Sequence, residues 1–322
     1  MKTIYQLVLQ VSAVLILAGC AEQKSETTPG DQAATESTEV LALAERAGAP
    51  LFDGMGDYEM PITTEEQDAQ RYFNQGMVLA FAFNHAESIR SFRAAQTLDP
   101  TCAMCFWGEA LATGPNINVT SKGKVIMSAG EREAAFAALQ KALALKDNAT
   151  VREQAYIEAL ATRYNGDAET DREPLDIAWA EAMGSVVKQY PEDMTAASIY
   201  AESLMNTMPW NYWSDDGIAK PETSAVIESL DRVLQAEPDH PLALHLYIHA
   251  VEASTDPSRA ETAADRLANL VPGAGHLVQM PSHIYYPIGR YNDAAVANQR
   301  AADVDEAYIA ACNAQGFYPA LY

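Results

Sequence analysis

The sequence predicts an all-α protein assembled from repeated helical pairs, and three observations carry that reading. Apolar residues make up 48% of the 322 residues and charged residues 20%, alanine is abundant, and no stretch alternates apolar and polar residues as a half-buried strand would. Four dipeptides, Asp99-Pro100, Tyr190-Pro191, Glu237-Pro238 and Val271-Pro272, each close one amphipathic helix and precede another, because proline cannot continue a helix and restricts the residue before it. A spaced set of packing residues, Tyr72, Gly76, Leu79, Ser88, Phe92, Ala95 and Pro100, marks out one such pair. From about residue 63 onward the chain is therefore expected to be almost entirely helical, with paired helices stacked in series.

That last spacing resembles the tetratricopeptide repeat, a helix–turn–helix unit of about 34 residues, at its fourth, eighth, eleventh, twentieth, twenty-fourth, twenty-seventh and thirty-second places. Gly289-Arg290-Tyr291 with Ala294, Asn298 and Ala301 resembles the start of a second helix in such a repeat. The resemblance implies a tetratricopeptide-like helical-repeat solenoid whose first helices line a concave side. Counted from each proline, Thr195, Ser198, Glu202 and Met205 point inward in one repeat. Leu242, His245, His249 and Glu252 do so in the next, and His276, Gln279, His283 and Tyr286 in the one after. The places that pack between helices hold apolar or small residues in the same count: Ala197, Ala201, Leu204; Leu244, Ile248, Val251; Val278, Ser282, Tyr285.

Four of the six histidines thus fall at inward places of two consecutive repeats. His245, His249 and Glu252 stand at i, i+4 and i+7 on one helix face, and His276, Gln279 and His283 recur in the next repeat. Imidazoles and carboxylates converging from neighbouring helices can hold zinc, copper or iron, or a polar ligand. His245, His249 and His283 are expected to meet, with Glu252 or Glu202 beside them and His276 near the rim. Trp210, in the run Met208-Pro209-Trp210-Asn211-Tyr212-Trp213, can wall a pocket or close a core. His85 is expected to pack, and His240 to cap the helix after Pro238. The segment Gly114 to Gly130 exceeds an ordinary repeat turn and can fold over the concave side.

Charge and motifs narrow the function. A formal charge of −23 excludes nucleic acid as a partner, since phosphate binding needs clustered Lys and Arg. Leucine at 246 removes the general base of a His-Glu-x-x-His peptidase, and neither a Gly-rich phosphate loop nor a Gly-x-Ser-x-Gly elbow is present. Cys102-Ala103-Met104-Cys105 leaves open a local disulfide and two packing thiols, with a copper site through Met104 as a third option.

Lys2 precedes a mostly apolar stretch over 4–17 that ends in Leu17-Ala18-Gly19-Cys20, which resembles a bacterial lipoprotein signal. This implies a signal peptide over residues 1–20, lipidation of Cys20, membrane contact through the lipid alone, and a place in the bacterial cell envelope. Ala21 after the cysteine is similar to the signal for the outer membrane, here its periplasmic face. Residues 21–57 are expected to be a flexible tether, and 58–322 the helical-repeat domain.

Several stretches are similar to a bacterial family of tetratricopeptide-containing proteins of largely uncharacterised function. They are Phe83-Asn84-His85, 99–104, Gly114-Pro115-Asn116, Pro209-Trp210, 245–252 and 275–285. The family usually carries a further histidine where this chain has Gln279, and its members tend to continue past Phe317-Tyr318-Pro319, which implies truncation of the last repeat. Two function classes follow. One is a lipid-anchored binding protein whose groove takes a peptide, a protein partner or a small polar ligand. The other is a metal-dependent enzyme, a hydrolase or an oxidoreductase.

Overall fold

The computed structural model describes residues 39–118 and 127–311, and the described residues from Val40 onward form one compact unit. The described residues are all-α: they contain no strand, and β pairing is confined to isolated bridges such as Trp213 to Ala219. After a helical segment over 39–47 come α1 (Gln67–Phe81), α2 (His85–Leu98), α3 (Ala103–Thr113), α4 (Ala129–Ala144), α5 (Val151–Ala161), α6 (Arg172–Gln189) and α7 (Met194–Thr207). The series continues with α8 (Pro221–Ala236), α9 (Pro241–Val251), α10 (Glu261–Leu267), α11 (Gly275–Gln279), α12 (Ser282–Tyr285) and α13 (Tyr291–Ala311).

Local chemistry sets these boundaries. Pro100, Pro191 and Pro238 lie two residues beyond the ends of α2, α6 and α8, as the proline spacing predicts. Ser128 with Glu131 and Thr150 with Glu153 form capping boxes that satisfy the free amides of α4 and α5. Asp193 accepts from the Ala196 amide at 2.9 Å to start α7, and His240 Nδ1 accepts from the Ala243 amide at 3.3 Å to start α9. His240 is therefore the cap the sequence suggests.

Helices pack mainly against their neighbours in sequence, from α1 on α2 through α9 on α10. Contacts also join alternate helices, α1 with α3, α3 with α5 and α7 with α9. The contact that departs furthest from this serial pattern among those of the described residues joins α1 to α9, far along the chain. Nothing in the helical periodicity announces it, because periodicity fixes which face of a helix is apolar and not which distant helix covers it.

Residues 40–57, within the stretch expected as a tether, belong to the body instead. Leu43, Ala47 and Ala49 are buried, Tyr72 donates to the Ala49 carbonyl at 2.6 Å, and the Gly273 amide donates to the Gly54 carbonyl at 2.8 Å. Gly54 takes φ of 75° there, and a Cβ on it would lie 2.9 Å from the Gly273 nitrogen, so only glycine allows this approach. Further on, Tyr58 bonds Thr195 at 2.8 Å and the Thr63 amide donates to Glu153 at 2.6 Å, which straps the segment across α5 and α7. The polar composition that marks a tether ends at Glu39. Val40 to Leu43 already carry apolar side chains with somewhere to go.

Candidate metal centre

The centre is built on α9. Pro241 at its first position is pre-set for helix, and every residue from Pro241 to Val251 is buried, so both histidines on it lie inside protein. The α1–α9 contact supplies their first partner: His245 Nδ1 donates to the carbonyl of Phe81 at 2.6 Å. Phe83, in the turn between α1 and α2, sets its ring 4.6 Å from His245, 5.4 Å from His276 and 6.3 Å from His249 between centroids. On the other side Trp210 meets His249 edge-on at 5.1 Å.

Phe83 and Trp210 have φ of 57° and 60°, and they are the two non-glycine residues of positive φ among the described residues. Each costs roughly 1–3 kcal/mol of backbone strain, and both press rings against the same histidine. Strain of this kind persists only where surrounding contacts hold it, and here they converge on one place.

Hydrogen bonds fix the tautomers. His249 Nδ1 donates to Glu252 Oε1 at 2.8 Å, and His283 Nδ1 donates to Glu252 Oε2 at 2.5 Å. With their protons on Nδ1, His245 and His249 carry lone pairs on Nε2. His249 Nε2 is buried with no hydrogen-bond partner among the described residues. His245 Nε2 lies 3.0 Å from His276 Nε2. Nitrogens of His245, His249 and His276 all lie within 4.8 Å of one another. Two nitrogens bound tetrahedrally at about 2.0–2.1 Å from one ion stand about 3.3 Å apart, so the His245–His276 pair is already near that spacing.

The electrostatics favour the ligating form. Burial pushes His245 and His276 well below the usual imidazole range, and neighbouring histidines add to it; burial also lowers His249, against the pull of Glu252. The three are therefore neutral. Burial alone would raise Glu252, but hydrogen bonds from His249 and His283 outweigh it and bring its pKa down to about 2, so the carboxylate stays charged. A group of three neutral imidazoles, one oriented by a carboxylate and one by a backbone carbonyl, is a set that can hold a metal ion.

The arrangement differs in places from the expected one. His245, His249, Glu252 and His283 do gather, but His276 sits in the heart of the cluster instead of at its rim. His283 lies outside the three-nitrogen set but forms a second group that could hold a metal ion, with His249 and Glu252; Glu252 engages it and its Nε2 faces Gln279 Oε1 at 3.2 Å. Pro281 is the cause. It separates α11 from α12, so a register counted from Pro272 fails beyond Met280. For the same reason Tyr286 is 68% exposed and stacks edge-on with Tyr291 outside the site. Gln279 stays at the margin, bonded to Ser282.

Glu202 is half-buried on α7, its pKa raised to about 7 by burial against the opposing charge of Arg163, and it is not among the clustered ligand groups. Among the other candidates, His85 is structural: its ring nitrogens bond the Ala112 carbonyl and Asn116, each at 2.8 Å. Cys102 and Cys105 form a disulfide, which rules out the copper reading. Cys20 and residues 119–126 of the long segment lie outside the described residues. Sequence reasoning missed the Phe81 carbonyl and the Phe83 ring. The only signal for Phe83 was its place beside Asn84-His85 in the family resemblance.

No protein-family model matches the chain, and no curated protein matches it.

Proposed function

We propose that this chain is a lipid-anchored helical-repeat protein that binds a divalent transition-metal ion, with His245, His249 and His276 as nitrogen ligands and Glu252 as their support. The observation that carries the reading is the buried Nε2 lone pair of His249, turned away from Glu252 toward two further imidazoles with no partner among the described residues. A buried acceptor left unpaired costs about 1–3 kcal/mol, and a cation is a partner that His249 Nε2 can share with the Nε2 atoms of His245 and His276, which stand 3.0 Å apart. Three imidazoles suit zinc, copper or iron.

The serial packing of helices and the alternate-helix contacts support a tetratricopeptide-like solenoid. Contact between α1 and α9 across the array favours a small polar ligand over a peptide or protein partner as the molecule that reaches the centre. Three protein ligands leave a coordination position open, as in metal sites that act on substrates, and this favours a hydrolase or oxidoreductase as the second reading. The location at the periplasmic face of the outer membrane rests on the Cys20 signal. No helix among the described residues is long and apolar enough to cross a membrane.

The test is elemental analysis of the chain purified without a histidine tag. One equivalent of zinc, copper or iron that is lost in His249→Ala supports the reading; a metal-free protein that takes up no added ion overturns it. Cys20→Ser is expected to abolish detergent partitioning, and unchanged partitioning would count against the anchor.

A further inference from the structure

Two groups of ligand atoms meet at His249, and a single bound ion uses one of them. Ligand atoms of His245, His249 and His276 all lie within 4.8 Å of one another, and so do those of His249, Glu252 and His283. His249 can serve the two groups through different nitrogens. Its buried Nε2 has no hydrogen-bond partner among the described residues, and its Nδ1 donates to Glu252 Oε1 at 2.8 Å. The two nitrogens lie on different edges of one imidazole ring, so an ion on Nε2 leaves Nδ1 accessible to another.

The second group is arranged so that an ion can take the place of protons. Glu252 accepts from both rings, from His249 through one oxygen and from His283 Nδ1 at 2.5 Å through the other. Two ligand atoms about 2.0–2.1 Å from one tetrahedral ion stand about 3.3 Å apart, so each of these spacings has to open by less than about 1 Å. The side chains of His283 and Glu252 are 30% and 19% exposed, against 3% for His249, so this group meets solvent while the first is enclosed. Gln279 completes it. Its amide nitrogen donates to Ser282 Oγ at 3.1 Å, which leaves its Oε1 facing His283 Nε2 at 3.2 Å, placed to accept a proton there while Nδ1 binds metal.

We propose that a second divalent transition-metal ion binds His249 Nδ1, Glu252 and His283 Nδ1 and is joined to the first through the His249 ring, an inference that rests on the metal reading. The ion displaces the His249 Nδ1 proton to solvent, and His283 keeps a single proton, on Nε2. The His249 ring then carries a negative charge shared by both ions, and Glu252 supplies another, which together offset the charge of the incoming ion. Three protein ligands leave the second ion a coordination position on the solvent side, where a small molecule has access that the enclosed first ion lacks.

The experiment titrates the full chain, purified without a histidine tag, with Cu(II) and follows electron paramagnetic resonance. Copper is the probe because it binds nitrogen ligands most tightly among the divalent ions of its series. The first equivalent is expected to give the signal of an isolated ion. The second is expected to diminish that signal instead of doubling it, because two Cu(II) ions sharing one deprotonated imidazole couple their spins antiparallel. His283→Ala removes a ligand of the second ion alone. It is expected to keep the first equivalent and to weaken the second by more than about 100-fold, beyond what loss of a supporting hydrogen bond costs. The wild-type spectrum decides even if that variant does not fold: a second equivalent whose signal simply adds to the first overturns the shared ring. A second equivalent held as tightly by a folded His283→Ala, or a chain that binds one equivalent only, overturns the inference and leaves the metal reading standing. A chain that takes up no copper overturns both.

Discussion

Glu252 joins two histidines from different helices: one carboxylate oxygen takes the His249 Nδ1 proton at 2.8 Å and the other that of His283 at 2.5 Å. The bond to His249 holds that ring with its Nε2 facing His245 and His276, and the bond to His283 ties α12 to α9. Glu252→Gln keeps the shape but loses the charge, and it is expected to weaken zinc binding 10–100-fold in competition with a chelating indicator. His249→Ala removes a ligand and should cost more. His85→Ala is expected to leave zinc affinity at the wild-type value, since that ring is committed to Ala112 and Asn116.

Trp210 sets stability against function. Its φ of 60° suits glycine, and its side chain is half-exposed, so Trp210→Gly relieves backbone strain while losing a ring contact to His249. Stability by urea unfolding is expected to hold or rise by about 1 kcal/mol, and zinc affinity to fall. A variant both less stable and equal in zinc affinity would show that the ring serves the core alone.

The residues that carry this site were legible in unequal degree. His245, His249 and Glu252 could be read from spacing, because an unbroken helix converts sequence distance into direction. His276 and His283 were identified as candidates, but the break at Pro281 shifts His283, which follows it, while His276 is deeper than expected because the Phe83 ring and His245 cover it. Phe81 had no signal in the sequence, and Phe83 only its place beside Asn84-His85. They reach the site through a contact between α1 and α9, and they contribute a carbonyl and a strained backbone, neither of which has a signature in residue type. The buried start of the body at Leu43 and Ala47 was legible in their apolar i, i+4 spacing, which the polar residues before Glu39 overshadowed.

Packing of α1, α2 and α3 turns on one ring. A Cβ on Gly108 in α3 would lie 2.3 Å from Phe92, and one on Gly76 in α1 would lie 2.8 Å from it, while Phe92 itself is fully buried and cannot withdraw. Gly108→Ala is expected to destabilise by about 1–3 kcal/mol despite alanine's better helix propensity. Gly130 in α4 faces open space, so Gly130→Ala is expected to stabilise by up to about 1 kcal/mol. Urea midpoints that move the same way in both variants would contradict this account.

Acid should destabilise the fold through its buried neutral histidines. Burial lowers both His85 and His240 to about 4, against the usual 6.5 of an exposed imidazole. Below pH 6.5 the unfolded chain gains protons at these sites that the folded chain refuses, so their contribution is complete above pH 6.5 and is lost as pH falls toward 4. Two buried carboxyls act oppositely. Glu202, raised to about 7, and Asp305, raised to about 6, keep protons in the folded chain that the unfolded chain releases, which costs stability as pH rises from about 4 toward 7. A single-site variant separates the two effects. His240→Asn preserves the cap of α9, since asparagine accepts from the same amides, and removes one titrating group. Relative to wild type it is expected to gain up to about 1.4 kcal/mol per pH unit between pH 6.5 and 4, and nothing above that range, in urea unfolding. A stability difference that stays constant across that window would mean that His240 is not held neutral by the fold.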